Sequence, residues 1–246
     1  MISVCNLSIA KPNKQGSHQI IERVDFDVMK GEIVAILGPN GSGKSTLLKA
    51  LAGLQTVTSG QIILLSKDLK IGMVFQNASQ SLYPWYSIKK QICMFAKISG
   101  CKSPELSAKK MVDLFGLGSM DHLFPYQLSG GLMQLVAMAR TMVTKPDLLL
   151  LDEPFSSLDY FTTMRLLFKV RNIIKQEKSA TIFVTHSPEE ALLFADRILL
   201  LSKSPGKIVG EVDVKLKSER SQECVLDGYF VEQKQKLLSQ LVGFIA

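Results

Sequence analysis

The first part of the chain contains two segments in which apolar and polar residues alternate. Residues 2–9 and 24–29 follow this pattern, which is typical of paired strands with one face in water. Residues 11–17, between them, are rich in turn-forming types and predict a loop. Three more strands are predicted before residue 77, at 32–37, at 61–65 after a turn at 58–60, and at 71–75.

A change of pattern at residue 77 predicts an inserted helical region. Strand-like runs disappear from there to roughly residue 127, and helical segments replace them. One helix is predicted over residues 88–96. A second begins after Ser103, with Pro104 at its first helical position, and ends near Gly116.

Alternation of strands and helices resumes after this region. Leu148–Leu151 is a continuous apolar run, as expected for a strand covered on both faces, and residues 181–185 predict another strand. Ser187 to Glu190 forms a capping box that starts a helix, with Pro188 at its first position. A helical stripe between these strands predicts core packing by Phe161, Met164, Leu167, Phe168, Val170 and Ile174. Late strands are predicted at 197–201, 207–209 and 211–214, and the tail is weakly amphipathic from 231 to 245. The whole pattern indicates a layered α/β core.

Composition narrows the class of protein. The 246 residues are 46% hydrophobic and 21% charged, which is ordinary for a globular chain able to bury a sizeable core. No apolar run approaches the roughly 18 to 20 residues of a membrane span. The first residues lack a basic start followed by an apolar segment, so we expect no secretory signal. Four scattered cysteines predict reduced thiols in a cytosolic protein: Cys5, Cys93, Cys101 and Cys224.

The chain carries a net charge of +7, which could indicate nucleic acid or anionic lipid as a partner. Its lysines are spread along the sequence, and residues 203–220 form the one local concentration. A solvated basic surface is therefore the better interpretation. A basic face beside an anionic inner leaflet remains compatible with this charge.

A phosphate-cradling loop is the strongest motif in the chain. Residues 38–46, GPNGSGKST, match the pattern GxxxxGKS, between the strand at 32–37 and a helix predicted over 45–52 that Gly53 closes. Such a loop directs backbone N–H groups and a helix start at phosphate oxygens. Lys44 can reach the terminal phosphates and Ser45 can hold Mg²⁺. The predicted nucleotide-binding residues of this loop are Gly38, Pro39, Asn40, Gly41, Ser42, Gly43, Lys44, Ser45 and Thr46.

Two adjacent carboxylates follow the apolar strand at 148–151. Asp152 and Glu153 would lie at its C-terminal end, where open α/β sheets bind their ligands. Asp152 can bind Mg²⁺ directly or through water. Glu153 is then placed to orient or deprotonate a water that attacks the γ-phosphate.

These motifs, with four others in fixed order, resemble the nucleotide-binding subunit of an ATP-binding cassette (ABC) transporter. The others are Gln76 after a strand, Leu128-Ser129-Gly130-Gly131 at a helix start, Ser157-Leu158-Asp159, and His186 after a strand. The resemblance covers residues 38–186. It implies a phosphate-loop NTPase core of RecA-like type, with an antiparallel β subdomain and an inserted helical subdomain. Within a single domain over 1–246, it implies a core with β subdomain at 1–76 and 140–214, a helical subdomain at 77–139 and a tail at 215–246.

The resemblance also assigns roles to residues. Glu153, His186 and Lys44 are expected to be catalytic, with ATP as the nucleotide. Ser45, Gln76 and Asp152 are expected to hold Mg²⁺. The signature residues Ser129, Gly130 and Gly131 are expected to reach the γ-phosphate held by a second copy of the chain, and Asp159 to serve that dimer contact.

Partners and location follow from the same resemblance. The chain is expected to drive transmembrane permease subunits from the cytoplasmic face of the inner membrane, with a solute-binding protein involved indirectly and no nucleic acid. Residues 76–85 and 195–207 resemble importers of the nitrate, sulfonate and taurine group, so a small anionic solute is the expected cargo. Two alternatives stay open. One is a soluble ABC ATPase acting on nucleic acid or the ribosome, and the other is a regulatory module with little turnover.

The chain departs from the family pattern in two places. No Tyr, Phe or Trp occurs between Met1 and Phe26, where an aromatic residue usually stacks on adenine. Loss of such a contact would weaken adenine selectivity by about 1 to 2 kcal/mol unless another residue supplies it. After the signature, residues 132–135 are mostly apolar where the importer group has arginines, so this helix face is expected to contact a partner differently.

Overall fold

Two sheets organise the fold in the computed structural model, which describes residues 2–13, 16–66, 68–216 and 220–243. The smaller sheet is antiparallel, and its strand order is β2-β1-β4. Its strands are β1 (Ile2–Asn13), β2 (Gly16–Val28) and β4 (Ser59–Leu64). The larger sheet has the order β5-β6-β7-β3-β8-β9, and it is parallel except for the β8–β9 pair. Its strands are β3 (Ile33–Leu37), β5 (Ile71–Val74), β6 (Leu148–Asp152), β7 (Ala180–Thr185), β8 (Arg197–Leu201) and β9 (Ile208–Asp213).

Seven α-helices connect and cover these sheets in the described parts of the chain. They are α1 (Lys44–Leu51), α2 (Ile88–Ile98), α3 (Pro104–Leu114), α4 (Gly130–Met142), α5 (Tyr160–Glu177), α6 (Pro188–Phe194) and α7 (Gly228–Gly243). Short 3₁₀ turns occur at Ala78–Gln80, Gly118–Met120, Pro125–Gln127 and Gln222–Leu226. None of the described helices is both long and apolar enough to cross a membrane.

The central strands are buried on both faces. Every residue of β3, β6 and β7 is buried, which explains why β3 and the first four residues of β6 are continuous apolar runs. Alternate side chains of β3 enter two separate cores. Ile33 and Ala35 join the core that faces α5 and the helical region, whereas Val34 and Ile36 join the core that faces α1 and the smaller sheet.

The helical region between β5 and β6 contains α2, α3 and α4. Ser87 caps α2 by accepting a hydrogen bond from the Lys90 N–H, and Ser129 caps α4 through the Leu132 N–H. The boundary predicted between residues 139 and 140 falls inside α4. This helix packs against α2 and α3 and also against β5, so it is shared by the helical region and the core.

Several predicted elements need correction. Strand β1 extends to Asn13 and β2 begins at Gly16, because residues 11–13 and 16–17 of the segment expected to be a loop pair with the opposite strand. Residues 14 and 15 of that expected loop lie outside the described residues. Likewise, Ser59 belongs to β4 rather than to a turn, since it pairs with Ser8. The two late strands predicted at 207–214 are one strand, β9. The tail contains a helix, α7, that packs on α6; the predicted endpoint at residue 245 lies outside the described residues.

The helical stripe was partly wrong. Met164, Leu167, Val170 and Ile174 are buried, as predicted, and Phe168 is half-buried against the same core. Phe161, however, is 81% exposed. It lies in the first turn of α5, before the helix reaches the core, and its ring lies edge-on to the neighbouring Tyr160 ring.

A buried charge cluster joins α5 to the sheet. Asp196 accepts hydrogen bonds from Lys175 Nζ (2.5 Å), Arg171 Nη2 (2.8 Å) and the Ile33 N–H (2.8 Å). Burial alone would raise the pKa of Asp196, but these hydrogen bonds outweigh it and hold the pKa below its usual value. Arg171 is 2% exposed, and Asp196 supplies the counter-charge for its buried guanidinium.

We expect Asp196→Asn to lower the free energy of unfolding by about 2 to 3 kcal/mol, because it leaves a buried guanidinium without its counter-charge. Urea unfolding at pH 7 measures this. The folded-state pKa of Asp196 lies below the unfolded one, so its contribution is present above pH of about 4 and is lost as the pH falls through the folded value. The gap between wild type and Asp196→Asn should therefore narrow in acid. Asp213→Asn, at an exposed site on β9, is the control; an equal loss there would contradict this account.

Candidate active site

The phosphate loop connects β3 to α1 and is packed tightly from two sides. Gly43 has φ +95°, and a Cβ there would lie 2.8 Å from side-chain atoms of Ile20 and Ile21 on β2. A Cβ on Gly206 would lie 2.3 Å from the carbonyl oxygen of Ser42. Glycine is therefore required at both positions, and the loop's shape is fixed by its neighbours as well as by its own sequence.

Lys44 is held inside this loop. Its side chain is 5% exposed, and Nζ donates hydrogen bonds to the carbonyl oxygens of Gly38 and Pro39, both at 2.9 Å. Burial lowers the pKa of Lys44, and the carboxylates of Glu153 and Asp152 act in the opposite direction. The ammonium thus lies at the loop's centre, 4.0 Å from Glu153 Oε1.

Ser45 and Asp152 form a small oxygen-rich group beside Lys44. Ser45 Oγ donates a hydrogen bond to Asp152 Oδ1 at 2.8 Å. Burial raises the pKa of Asp152, although the hydrogen bond from Ser45 opposes this shift. Hydroxyl and carboxylate oxygens are the donors that Mg²⁺ prefers, so the side chains present here fit that ion.

Glu153 places its carboxylate close to three other side chains of the site. Its backbone has φ +45°, an uncommon conformation for a residue with a side chain, and its N–H bonds to the Val184 carbonyl at 3.1 Å. Gln76 Nε2 donates to Glu153 Oε2 at 3.3 Å, and His186 Nδ1 lies 3.3 Å from the same oxygen. The structure therefore brings together Lys44, Ser45, Gln76, Asp152, Glu153 and His186.

A cavity of about 460 Å³ lies over the loop. Asn40, Gly41 and residues 43–46 of the loop, together with Gln76 and Glu153, form part of its lining. His18 and Ile20 of β2 and Ser204 form the rest. Its size falls in the range of small-molecule sites.

The signature residues and Asp159 do not line this cavity. Ser129 and Gly130 are exposed at the start of α4, where the Ser129 hydroxyl accepts the Leu132 N–H at 3.3 Å. Asp159 is also exposed, and it caps α5 by accepting the Thr162 N–H at 3.0 Å. Hydrogen bonding by the Thr162 hydroxyl, together with this N–H, lowers the pKa of the Asp159 carboxyl. Within one chain, the described site is thus formed without these residues.

Residues 132–135 of α4, which follow the signature, were expected to face a partner, and two of them are instead buried in the chain. Gln134 and Leu135 are buried, and Gln134 Nε2 donates to the carbonyl of Phe75 at 3.3 Å. Only Leu132 and Met133 of that segment are half-buried and available in part to a partner. The segment 132–135 therefore serves contacts inside the chain to a larger extent than predicted.

Arg140 is a residue that the sequence analysis missed. It is 6% exposed and donates two hydrogen bonds to Ser81, one to the carbonyl (2.6 Å) and one to the hydroxyl (3.1 Å). Its guanidinium also lies 4.6 Å from the centre of the Phe95 ring. The available signal was that Arg140 is the one charged residue of α4. Arg140 ties the segment after Gln76 to α4, the helix that begins at the signature.

Thr185 is a second missed residue. Its hydroxyl donates to Glu190 Oε2 at 2.6 Å and accepts from the Ser187 N–H at 3.0 Å. The predicted capping box is therefore only half formed, because Ser187 caps the Glu190 N–H while the Glu190 carboxylate bonds to Thr185. Burial raises the pKa of Glu190, and the hydrogen bond from Thr185 opposes this. The bond from the Ser187 N–H to the Thr185 hydroxyl spans His186, which lies between these two residues in sequence.

A loop of this geometry at the end of a parallel strand, with Ser45, Asp152 and Glu153 beside it, defines a phosphate-loop nucleoside triphosphatase. The profile of the ABC transporter family matches residues 21–156, and the chain belongs to this family. It is an ATP-binding subunit of that family and an ATPase.

Individual relatives agree with this assignment. The chain is 35% identical over 244 residues to the aliphatic sulfonates import ATP-binding protein SsuB of Bacillus cereus, covering 97% of this chain and 95% of the relative. It is 40% identical over 210 residues to a second protein of that name from Burkholderia lata, covering 83% and 76%. Among solved structures, a dimeric bacterial ABC transporter cassette matches with TM-score 0.78 and 25% identity, covering 88% of this chain and all of the other.

We expect Thr185→Val to lower the free energy of unfolding by about 1 to 2 kcal/mol, because it leaves the Glu190 carboxylate and the Ser187 N–H without a buried partner. Thermal unfolding measures the change. Thr185→Ser keeps the hydroxyl and should stay close to wild type. Equal stability of the Val and Ser variants would show that the hydroxyl has no structural role.

Proposed function

We propose that this chain hydrolyses ATP to power a separate membrane permease that imports a small anionic solute. The observation that carries the proposal is the convergence of Lys44, Ser45, Asp152 and Glu153 at one edge of the sheet. The matched relatives are named as import ATP-binding proteins, which favours transport over action on nucleic acid or the ribosome. The chain would work at the cytoplasmic face of the cell membrane.

ATP would be held through its phosphates. Backbone N–H groups of residues 38–46 and the start of α1 would face the phosphate oxygens, and Lys44 would exchange its loop carbonyl partners for the terminal phosphates. Ser45, Asp152 and Gln76 would hold Mg²⁺. When bound, this ion would neutralise phosphate charge.

Glu153 would act as the base. Its carboxylate lies at the cavity wall beside Gln76 and His186, so it can accept a proton from a water that attacks the γ-phosphate. His186 would orient this carboxylate and contact the γ-phosphate. The left-handed backbone of Glu153 supports this role, since strained conformations concentrate at functional sites.

A second copy of the chain would complete the site. Ser129, Gly130 and Gly131 lie outside the phosphate cavity, and Ser129 and Gly130 are exposed, as residues that serve an opposing subunit would be. Asp159, exposed at the start of α5, would contact the same partner. The structural relative is a dimeric cassette, which supports this arrangement.

The permease would contact the helical region between Phe75 and Met94. Trp85 is 65% exposed there, next to Tyr83 and Tyr86. A cavity of about 390 Å³ lies beside them, between α2 and α3. Because this surface follows Gln76 along the chain, and Gln76 lines the nucleotide cavity, a change in the bound nucleotide would be transmitted to it through that residue. A solute-binding protein would act through the permease, and a sulfonate-like anion is the cargo suggested by the names of the relatives.

Glu153→Gln should retain ATP binding and reduce hydrolysis by about 100-fold or more, since the amide cannot accept the proton of the attacking water. Steady-state phosphate release with the permease present, beside equilibrium ATP binding, measures both properties. Glu177→Gln, an exposed change on α5, should turn over like wild type. Substantial hydrolysis by the Glu153 variant would remove this residue from the role of base.

Lys44→Ala should weaken ATP binding by about 10- to 100-fold, because it removes charge-assisted hydrogen bonds to phosphate. Calorimetric titration with ATP measures the affinity. Lys169→Ala removes the same charge from an exposed site on α5 and should bind ATP like wild type. Unchanged affinity in the Lys44 variant would contradict phosphate binding by this loop.

A further inference from the structure

Strand β2 forms one wall of the cavity over the phosphate loop. His18 and Ile20 belong to it, and alternate residues of a strand point to the same face. Among the described residues that line the cavity, His18 carries the one ring. The other lining side chains are small, aliphatic, amide or charged.

Strand β2 is held firmly in this place. The Gly206 N–H donates to the Ile20 carbonyl at 2.8 Å, and the Glu22 N–H donates to the Gly206 carbonyl at 3.0 Å. Lys207 Nζ also pairs with Glu22 at 3.1 Å. Because Ile20 packs against Gly43 of the phosphate loop, the position of His18 is fixed relative to that loop.

His18 is exposed although its strand is fixed. On the neighbouring strand its backbone partner is Lys11, in the regular hairpin register. A planar ring that is held by a strand, lines a cavity and is not covered by the protein's own core is available to stack on a flat ligand.

We propose that His18 is the residue on which the base of bound ATP stacks. The inference rests on the proposed function: if residues 38–46 hold the phosphates, the nucleoside must extend into the rest of the same cavity, where β2 forms the wall. A nucleobase offers a flat π-face, and the imidazole is the one ring that the described residues of that wall present to it. His18 is thus a specificity-determining residue, supplied by this chain in place of a larger aromatic side chain.

The test compares two ligands that share the phosphates and differ in the base. Affinities for ATP and for inorganic tripolyphosphate are measured by calorimetry in wild type, His18→Ala, His18→Phe and the control His122→Ala, which changes an exposed histidine in the helical region. We expect His18→Ala to weaken ATP binding by about 5- to 50-fold, the range for loss of one base-stacking ring. Its affinity for tripolyphosphate should equal that of wild type. His18→Phe should recover ATP binding, and His122→Ala should match wild type for both ligands.

Two results would overturn the proposal. One is unchanged ATP affinity in His18→Ala. The other is an equal loss of affinity for ATP and tripolyphosphate in that variant, because a merely structural role of His18 would disturb the loop and weaken the binding of both ligands. Failure of the proposed function would look different. In that case Lys44→Ala would bind both ligands like wild type, whereas failure of the stacking role alone would leave Lys44→Ala defective for both.

Discussion

Parallel pairing of β3, β6 and β7 is the constraint on which the site depends. In this register Asp152 lies beside Val184, and Leu37 lies beside Thr185, so the three strands end at the same edge. The phosphate loop, Glu153 and His186 each follow directly from one of these ends. Residues far apart in sequence therefore reach one another within 4 Å because the backbone ladder aligns the strand ends.

Helix α4 extends this organisation into the helical region. Gln134 bonds to the Phe75 carbonyl just before Gln76, and Arg140 bonds to Ser81 just after it. The segment that carries Gln76 is thus fastened at two points to a single helix whose first turn is the signature. One rigid element consequently joins the edge of the site to the residues proposed to meet a second subunit.

Much of the core and site could be predicted from sequence because the deciding signals are local. The buried runs at β3 and β6, the glycine loop and the paired carboxylates each require only a few adjacent residues. Phe161 could not be placed, because periodicity gives the face of a helix but not where along it the core begins. Pairing of β1 with β2 overrode the turn-forming composition at residues 11–13 and 16–17. Arg140 bonds to Ser81, which is distant in sequence, and His18 lines a cavity formed with the phosphate loop, so their contacts depend on tertiary neighbours that no local pattern encodes.

Gly206 has a consequence for how the chain can vary. The Ser42 oxygen is so close that any side chain at residue 206 would press on the phosphate loop. Gly206 lies in the loop after β8 and belongs to no nucleotide-binding motif. It should nevertheless tolerate substitution as poorly as the glycines of the phosphate loop. A substitution at this buried glycine would therefore impair ATP binding, although the residue lies outside every nucleotide-binding motif.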